Sequence, residues 1–229
     1  MVYDFHTHTF LSDGSLSPVE LARRAYVQGY KALGITDHAG LGTLERVIKE
    51  LIEDCRLASK RWDILVIPGV ELTHVPPGEI SRVAKRAKDL GARIVVVHGE
   101  TIVEPVQKGT NTAALKSPFV DVLAHPGLIG PRDVELSAKR GIFLELSARK
   151  GHSVTNGHLA KIATDLGAPL LLDSDAHEPE DLLTESSANA ILLGSGLTEM
   201  AARIVAEENP RLLLEKLSRG STPKSEKRR

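Results

Sequence analysis

The stretch that decides the fold opens the chain: Val2-Tyr3-Asp4-Phe5-His6-Thr7-His8. Its apolar residues predict a short buried strand that ends on two histidines one residue apart. Because strand side chains alternate between two faces, His-x-His places both imidazoles on the same face. This ending therefore indicates a functional site at the end of a sheet.

Later strand-like runs also end on a histidine or an acid. They close at Asp37-His38, Glu71, His98, His125 and Asp175-Ala176-His177. In a (β/α) barrel, functional groups lie at the carboxyl ends of the strands. Six such endings in series predict a barrel that presents all of them on one rim.

The segments between these runs have helix signals. Ser17-Pro18-Val19-Glu20 is a typical helix start, with a serine cap, a proline in the first turn and an acid after it. Residues 43–59 and 79–90 are amphipathic, whereas Gly99–Asn111 is predicted as a loop and Ala190–Leu193 as a further candidate strand. Strands that alternate with helices predict an α/β fold with a parallel sheet, closed into a barrel of seven or eight units.

Composition narrows the class of protein. The 229 residues are 41% hydrophobic with a net charge of -1, which gives no global attraction to nucleic acid or to anionic membranes. The single cysteine, Cys55, excludes a multi-thiolate metal site and an internal disulfide. No signal peptide or membrane span is predicted, so we expect a cytoplasmic protein. We expect one domain over residues 1–218 and a flexible basic tail over residues 219–229.

The side chains at the strand ends are nitrogen and oxygen ligands, which suit Zn²⁺, Mn²⁺ or Fe²⁺. One metal cannot use so many, so two or three divalent ions are expected, an arrangement well suited to phosphate ester hydrolysis. Each motif alone has another explanation: Asp37-His38 as a helix cap, Glu71 as a partner of a lysine, and His98 and His125 as turn residues. Their joint placement on one rim favours a metal site.

In order along the chain, these motifs resemble those of the PHP family, named for polymerase and histidinol phosphatase. The resemblance covers residues 4 to about 180 and rests on His6-Thr7-His8 through Ser12-Asp13-Gly14, Ile35-Thr36-Asp37-His38, Gly69-Val70-Glu71, His98, Ala124-His125-Pro126-Gly127 and Ser174-Asp175-Ala176-His177. It implies a distorted (β/α)7 TIM-like barrel with up to three metals and phosphoesterase activity.

The resemblance also implies three metal sites. The first would use His6, His8, Glu71 and Asp175; the second would share Glu71 and add His98 and His125; the third would use Asp13, His38 and His177. A hydroxide that bridges the metals would be the nucleophile, with His38, His177 or Asp175 assisting proton transfer. Asp37 is expected to orient a ligand and not to bind metal.

The segment that follows the sixth predicted strand supplies three candidate substrate contacts: Arg149, Lys150 and His152. Arginine is favoured there because it binds phosphate bidentately. The leading hypothesis is a phosphomonoesterase for a small phosphorylated substrate, with histidinol phosphate, and hence histidine biosynthesis, as the named candidate. The alternatives are a nuclease or nucleotide phosphodiesterase that uses the same metals, and a non-catalytic scaffold subunit. The sequence does not set the oligomeric state.

Overall fold

The computed structural model describes residues 1–220. Its strands are β1 (Val2–Asp4), β2 (Tyr30–Ile35), β3 (His38–Ala39), β4 (Leu65–Leu72), β5 (Ile94–His98), β6 (Val122–Ala124), β7 (Phe143–Ser147) and β8 (Leu170–Asp173). They are parallel and run in the order β1-β2-β4-β5-β6-β7-β8, with the short β3 paired beside β4. This nearly closed barrel of one domain confirms the predicted fold class.

Helices cover the outside of the barrel, and their starts follow the sequence signals. The Ser17 side chain accepts the backbone N–H of Glu20, and Pro18 lies in the first turn. The helices are α1 (Pro18–Val27), α2 (Leu44–Arg61), α3 (Ile80–Leu90), α4 (Thr110–Lys116), α5 (Pro131–Arg140), α6 (Asn156–Leu166), α7 (Glu185–Gly194), α8 (Glu199–Arg203) and α9 (Asn209–Gly220).

The barrel interior is a small apolar core of its own. Phe5, Ile67, Ile94 and other inward-facing strand residues fill it, and Leu213 and Leu217 of α9 pack against the same cluster. The second, larger core lies between the strands and the helices. Helix α9 therefore packs at one end of the barrel interior. The polar groups at the carboxyl ends of the strands, which include the histidines, lie at the opposite end.

Strands β1 and β8 meet at the seam of the barrel, where the two paired-ligand motifs lie. The backbone N–H of Asp175 donates to the His6 carbonyl at 2.9 Å, and that of His8 donates to the Ala176 carbonyl at 2.8 Å. Below them, the N–H of Phe5 donates to a carboxylate oxygen of Asp173. These bonds fix His-x-His and Asp-x-His side by side.

Three sequence predictions differ from the structure. Ala190–Leu193 belongs to helix α7, because a short apolar run does not distinguish a strand from a buried helical turn. Helix α4 begins at Thr110, inside the segment predicted as a loop. Helix α9 includes Arg219 and Gly220, and the rest of the predicted tail, residues 221–229, lies outside the described residues. Within residues 1–220, no helix is both long and apolar enough to traverse a bilayer.

Candidate metal centre

All the side chains predicted as metal ligands converge at the carboxyl end of the barrel. Within residues 1–220, four overlapping groups hold potential ligand atoms that lie within 4.8 Å of one another: His6, Glu71 and His125; His6, His8 and Asp175; His98, His125 and His152; and His8, Asp13, His38 and His177. The groups share His6, His8 and His125, so they form one continuous cluster.

The predicted first ligand set lies at the centre of this cluster. Nε2 of His6 is 3.4 Å from a carboxylate oxygen of Glu71, and Nε2 of His8 is 3.2 Å from an oxygen of Asp175. His6, His8 and Glu71 are essentially inaccessible to solvent, and Asp175 is nearly so. Burial opposes ionisation of Glu71 and Asp175, but His6 and neighbouring imidazoles hold the pKa of both carboxyls below its usual range. Both are therefore anionic, as metal ligands must be.

The predicted second set is joined by a histidine that the sequence analysis had treated as a substrate contact. Nε2 of His125 lies 3.5 Å from Glu71, the carboxylate that also faces His6. His98 and His125, however, form a group with His152, whose ring stacks on that of His125 with centroids 4.1 Å apart. His152 thus lies among the ligand-type side chains and is buried.

The predicted third set lies closest to solvent. The two oxygens of Asp13 lie 3.5 Å from Nε2 of His38 and 3.2 Å from Nε2 of His177. Nδ1 of His38 also lies 2.5 Å from Glu71, which links this set to the centre. Burial favours neutral His38, but Glu71 and Asp13 raise its pKa to about 10. Asp13 is 53% exposed, so this set faces the open end of the barrel.

Hydrogen bonds behind the cluster orient the imidazoles. Nδ1 of His6 lies 2.6 Å from Glu145, that of His152 lies 2.7 Å from the Thr101 hydroxyl, and that of His98 donates to the Gly99 carbonyl at 3.2 Å. Each bond leaves Nε2 directed at the cluster. Metal-binding histidines typically donate their second N–H in this way.

Two backbone positions at the cluster have strained conformations. His125 and Asp175 have φ values of 26° and 54°, in the left-handed region that disfavours residues with a side chain. Such strain persists where the surrounding structure imposes it, and it concentrates at functional sites. His125 follows β6 directly and Asp175 lies two residues beyond β8, so the strained turns direct their side chains to the centre.

The donor atoms fit divalent cations. Nε2 of His6, both ring nitrogens of His8 and Oε1 of Glu71 are buried and have no hydrogen-bond partner among residues 1–220. Buried polar atoms without partners cost free energy and are rare in folded proteins. Imidazole and carboxylate donors suit Zn²⁺, Mn²⁺ or Fe²⁺, and a cation bound here would be ligated by Nε2 of His6, one ring nitrogen of His8 and Oε1 of Glu71.

Arg149 and Lys150 lie beside the third set, on a cavity of about 700 Å³ that Asp13 and His177 also line. The Arg149 guanidinium donates to the Asp175 carbonyl at 3.1 Å and approaches Nδ1 of His177 to 2.6 Å. Asp37 takes part in no ligand group of the described chain; its carboxylate instead accepts hydrogen bonds from Thr9 and Ser12.

The sequence analysis missed Glu104, whose carboxylate reaches His98 and His152. It lies inside a loop and not at a strand end, so no strand-end pattern marks it. Its distance of six residues from His98 was the only signal in the sequence.

Comparison with known proteins finds a family model and relatives that match most of the chain. The PHP domain family model matches residues 4–165. An uncharacterized protein of Methanocaldococcus jannaschii is 48% identical over 222 residues, which cover 95% of this chain and all of that protein. A probable phosphatase of Thermoanaerobacter sp. strain X514 is 30% identical over 87% of this chain and 88% of its own length.

Among solved structures, histidinol phosphate phosphatase of Lactococcus lactis, in complex with zinc, L-histidinol and phosphate, superposes with a TM-score of 0.58. The match covers 86% of this chain and 94% of that protein, at 14% identity. At this level of identity the likeness supports the fold and does not transfer the substrate.

Proposed function

The chain belongs to the PHP domain family, and on that premise we propose that it is a metal-dependent phosphatase that hydrolyses a small phosphomonoester at a centre of two or three divalent cations. The observation that supports this proposal is the continuous cluster of buried imidazoles and carboxylates, several of whose donor atoms have no partner in the described chain. Divalent cations held there would supply Lewis-acid polarisation of a phosphate ester and activation of water at neutral pH.

We assign the chain's own residues separate tasks. Glu71, in contact with His6, His38 and His125, would join the ligand sets to one another. When only two cations are bound, His38 and His177, which face the open end beside Asp13, would keep their protons and could deliver one to the leaving oxygen of the substrate. Asp175, buried against His8, would hold the first set together.

Arg149 and Lys150 are the proposed phosphate contacts, since both line the cavity at the third set. The hydrogen bond from the Arg149 guanidinium to the backbone carbonyl of Asp175 holds the guanidinium beside the cluster, and a guanidinium matches two phosphate oxygens at once.

The loops around the centre carry both charged and apolar side chains, and the apolar ones support a small substrate with an apolar portion. Exposed large apolar side chains occupy the loops at this end of the barrel: Phe10, Leu41, Ile102, Val103, Leu128 and Val154. A nuclease typically needs a row of lysine and arginine side chains along the path of the phosphate backbone. With a net charge of -1 and these exposed apolar side chains, the chain favours a single phosphate group on an apolar or aromatic carrier.

A substrate panel tests the proposal. Metal-free protein is reconstituted with Zn²⁺, Mn²⁺ or Fe²⁺ and given histidinol phosphate, an aryl phosphomonoester, an aryl phosphodiester and a short oligonucleotide. We expect cleavage of monoesters with metal only, and we expect Arg149→Lys to raise KM about tenfold or more, the size of a lost charged hydrogen bond. Lys161→Met, on the exposed face of α6, is the control.

Two outcomes would contradict this proposal. Cleavage of the oligonucleotide without cleavage of any monoester would indicate a nuclease. Binding of metals without hydrolysis of any ester would indicate a non-catalytic scaffold.

A further inference from the structure

Glu104 lies in the loop between β5 and α4 and reaches into the metal centre. Its carboxylate faces three imidazoles: Oε2 lies 3.0 Å from Nε2 of His98 and 3.9 Å from Nε2 of the more exposed His74, and Oε1 lies 3.4 Å from Nε2 of His152. His98 and His152 belong to the group that contains His125. The carboxylate therefore bridges two members of one candidate ligand group from the solvent side.

His152 is held in an orientation that suits a ligand. The Thr101 hydroxyl lies 2.7 Å from Nδ1, and the ring packs flat on that of His125 with an interplanar angle of 14°. Nε2 consequently points to the same space as the nitrogens of His98 and His125. Only 5% of the residue is exposed, so water does not satisfy this nitrogen well.

The loop that presents Glu104 is anchored at both ends. A carboxylate oxygen of Glu100 accepts the backbone N–H groups of Gly109 and Asn111, at 2.9 and 3.0 Å. Val103 packs beside Gly151, next to His152: a Cβ added at Gly151 would lie 3.5 Å from a Val103 methyl group. Glu104 is thus held over the centre by the same loop that supplies Thr101.

We propose that Glu104 and His152 complete the ligand set of the second metal position, together with Glu71, His98 and His125. This inference rests on the metal centre of the proposed function. The set has five protein donors, of which two are carboxylates. Zn²⁺ in protein sites is mostly four-coordinate, whereas Mn²⁺ and Fe²⁺ accept five or six ligands and bind carboxylate oxygen well. Glu104 therefore biases this position toward Mn²⁺ or Fe²⁺ and away from Zn²⁺.

Metal titration of metal-free protein, without substrate, tests the proposal independently of phosphatase activity. We expect Glu104→Gln and His152→Gln each to weaken one equivalent of Mn²⁺ by about 10–100-fold, the range seen when residues that support a metal site are lost. For Glu104→Gln, the loss of affinity for Zn²⁺ should be smaller. Glu79→Gln is the matched control, because Glu79 is an exposed glutamate at the start of α3 that pairs with Arg82.

Co²⁺ substitution supplies a spectroscopic readout. Removal of a ligand from a five- or six-coordinate ion lowers its coordination number, so the visible d–d absorbance of the Co²⁺-loaded protein should intensify in Glu104→Gln and stay unchanged in Glu79→Gln. Far-UV circular dichroism of each variant, with the control alongside, verifies that the fold is retained. A variant that does not fold is replaced by Glu104→Asp, whose shorter side chain should give the same loss of Mn²⁺ affinity.

The proposal is overturned if folded Glu104 and His152 variants bind every equivalent of Mn²⁺ with unchanged affinity. It is equally overturned if metal binding is unchanged and only KM for a phosphomonoester rises, since Glu104 would then contact substrate. Failure of the protein to hydrolyse any ester leaves the titration, and hence this test, intact.

Discussion

Nδ1 of His6 lies 2.6 Å from a carboxylate oxygen of Glu145, and both side chains are completely buried. Because a carboxylate accepts, Nδ1 carries a proton, and Nε2, which faces Glu71 and Asp175, is the nitrogen left to bind a cation in place of a second proton. Although burial favours the neutral ring, Glu145 and the other two carboxylates raise the pKa of His6 well above its usual value. Glu145 therefore positions His6 through the ring nitrogen that faces away from the cluster.

Glu145→Gln should therefore weaken metal binding while preserving the fold. The amide keeps the size of the side chain but loses the charge. Its NH2 group can donate to Nδ1, which favours the tautomer with the proton on Nε2, the nitrogen that faces the cluster. We expect a loss of about 10–100-fold in affinity for the first metal, measured by chelator competition. Glu53→Gln, on the exposed face of α2, should change nothing. Equal metal affinities in the Glu145→Gln and Glu53→Gln variants would contradict the assignment of Glu145 as a positioning residue.

Gly69 is a second point where the fold supports the site, two residues before Glu71. A Cβ at this position would lie 2.3 Å from a methyl group of Ile94, on the neighbouring strand β5, and 2.9 Å from one of Thr36, just after β2. Gly69→Ala should lower the free energy of unfolding by about 1–3 kcal/mol, as overpacking in a close-packed core does. Urea unfolding measures this change, and Gly78→Ala, where the added Cβ meets nothing within 4 Å, should stay within about 0.5 kcal/mol of the parent. A loss of equal size in both variants would contradict the packing explanation.

The strand endings predicted the barrel and the cluster because both follow from local patterns. Period-two alternation places His6 and His8 on one face, and parallel strands bring their carboxyl ends together whatever the loops do. Two residues of β3 escaped prediction because so short a strand leaves no pattern in the sequence.

The contacts that depend on loops were not predictable. Glu104 meets His152 across 48 positions of sequence, and Thr101 meets it across 51, as the path of one loop brings them together. Glu145 lies on a strand, yet only the fold reveals that it faces His6, 139 residues away. Sequence periodicity reports which face a residue occupies and not which long-range partner it has.

Asp37 stabilises the loop that leads to Asp13. Oδ1 accepts the backbone N–H of Thr9 at 2.8 Å and that of Ser12 at 3.1 Å, and the hydroxyls of both residues donate to the same carboxylate. Asp37→Ala should destabilise the protein by about 1–3 kcal/mol for each buried donor left without a partner, and should abolish binding at the third set by releasing Asp13. Asp37→Asn keeps one acceptor oxygen and should lose less on both counts. Metal content and urea unfolding of the two variants, measured in parallel, check this prediction; an Asp37→Ala protein that keeps its full metal content would contradict it.

Metal removal should loosen the barrel, and Cys55 offers a direct measurement. This only cysteine is buried in α2, where burial raises the pKa of its thiol, so a thiol reagent must wait for the chain to open. A ligand that binds only the folded state at about 100 times its Kd stabilises it by about 2.7 kcal/mol, which corresponds to an opened population about 100-fold smaller. The rate of Cys55 labelling should therefore fall about 100-fold when saturating metal is added back to protein stripped of metal by a chelator. This holds when the opened chain recloses faster than the thiol is labelled. In His6→Ala, which lacks a central donor, the same addition of metal should protect the thiol far less. Identical labelling rates with and without metal in the parent protein would mean that the buried imidazoles and carboxylates do not couple cation binding to the stability of the fold.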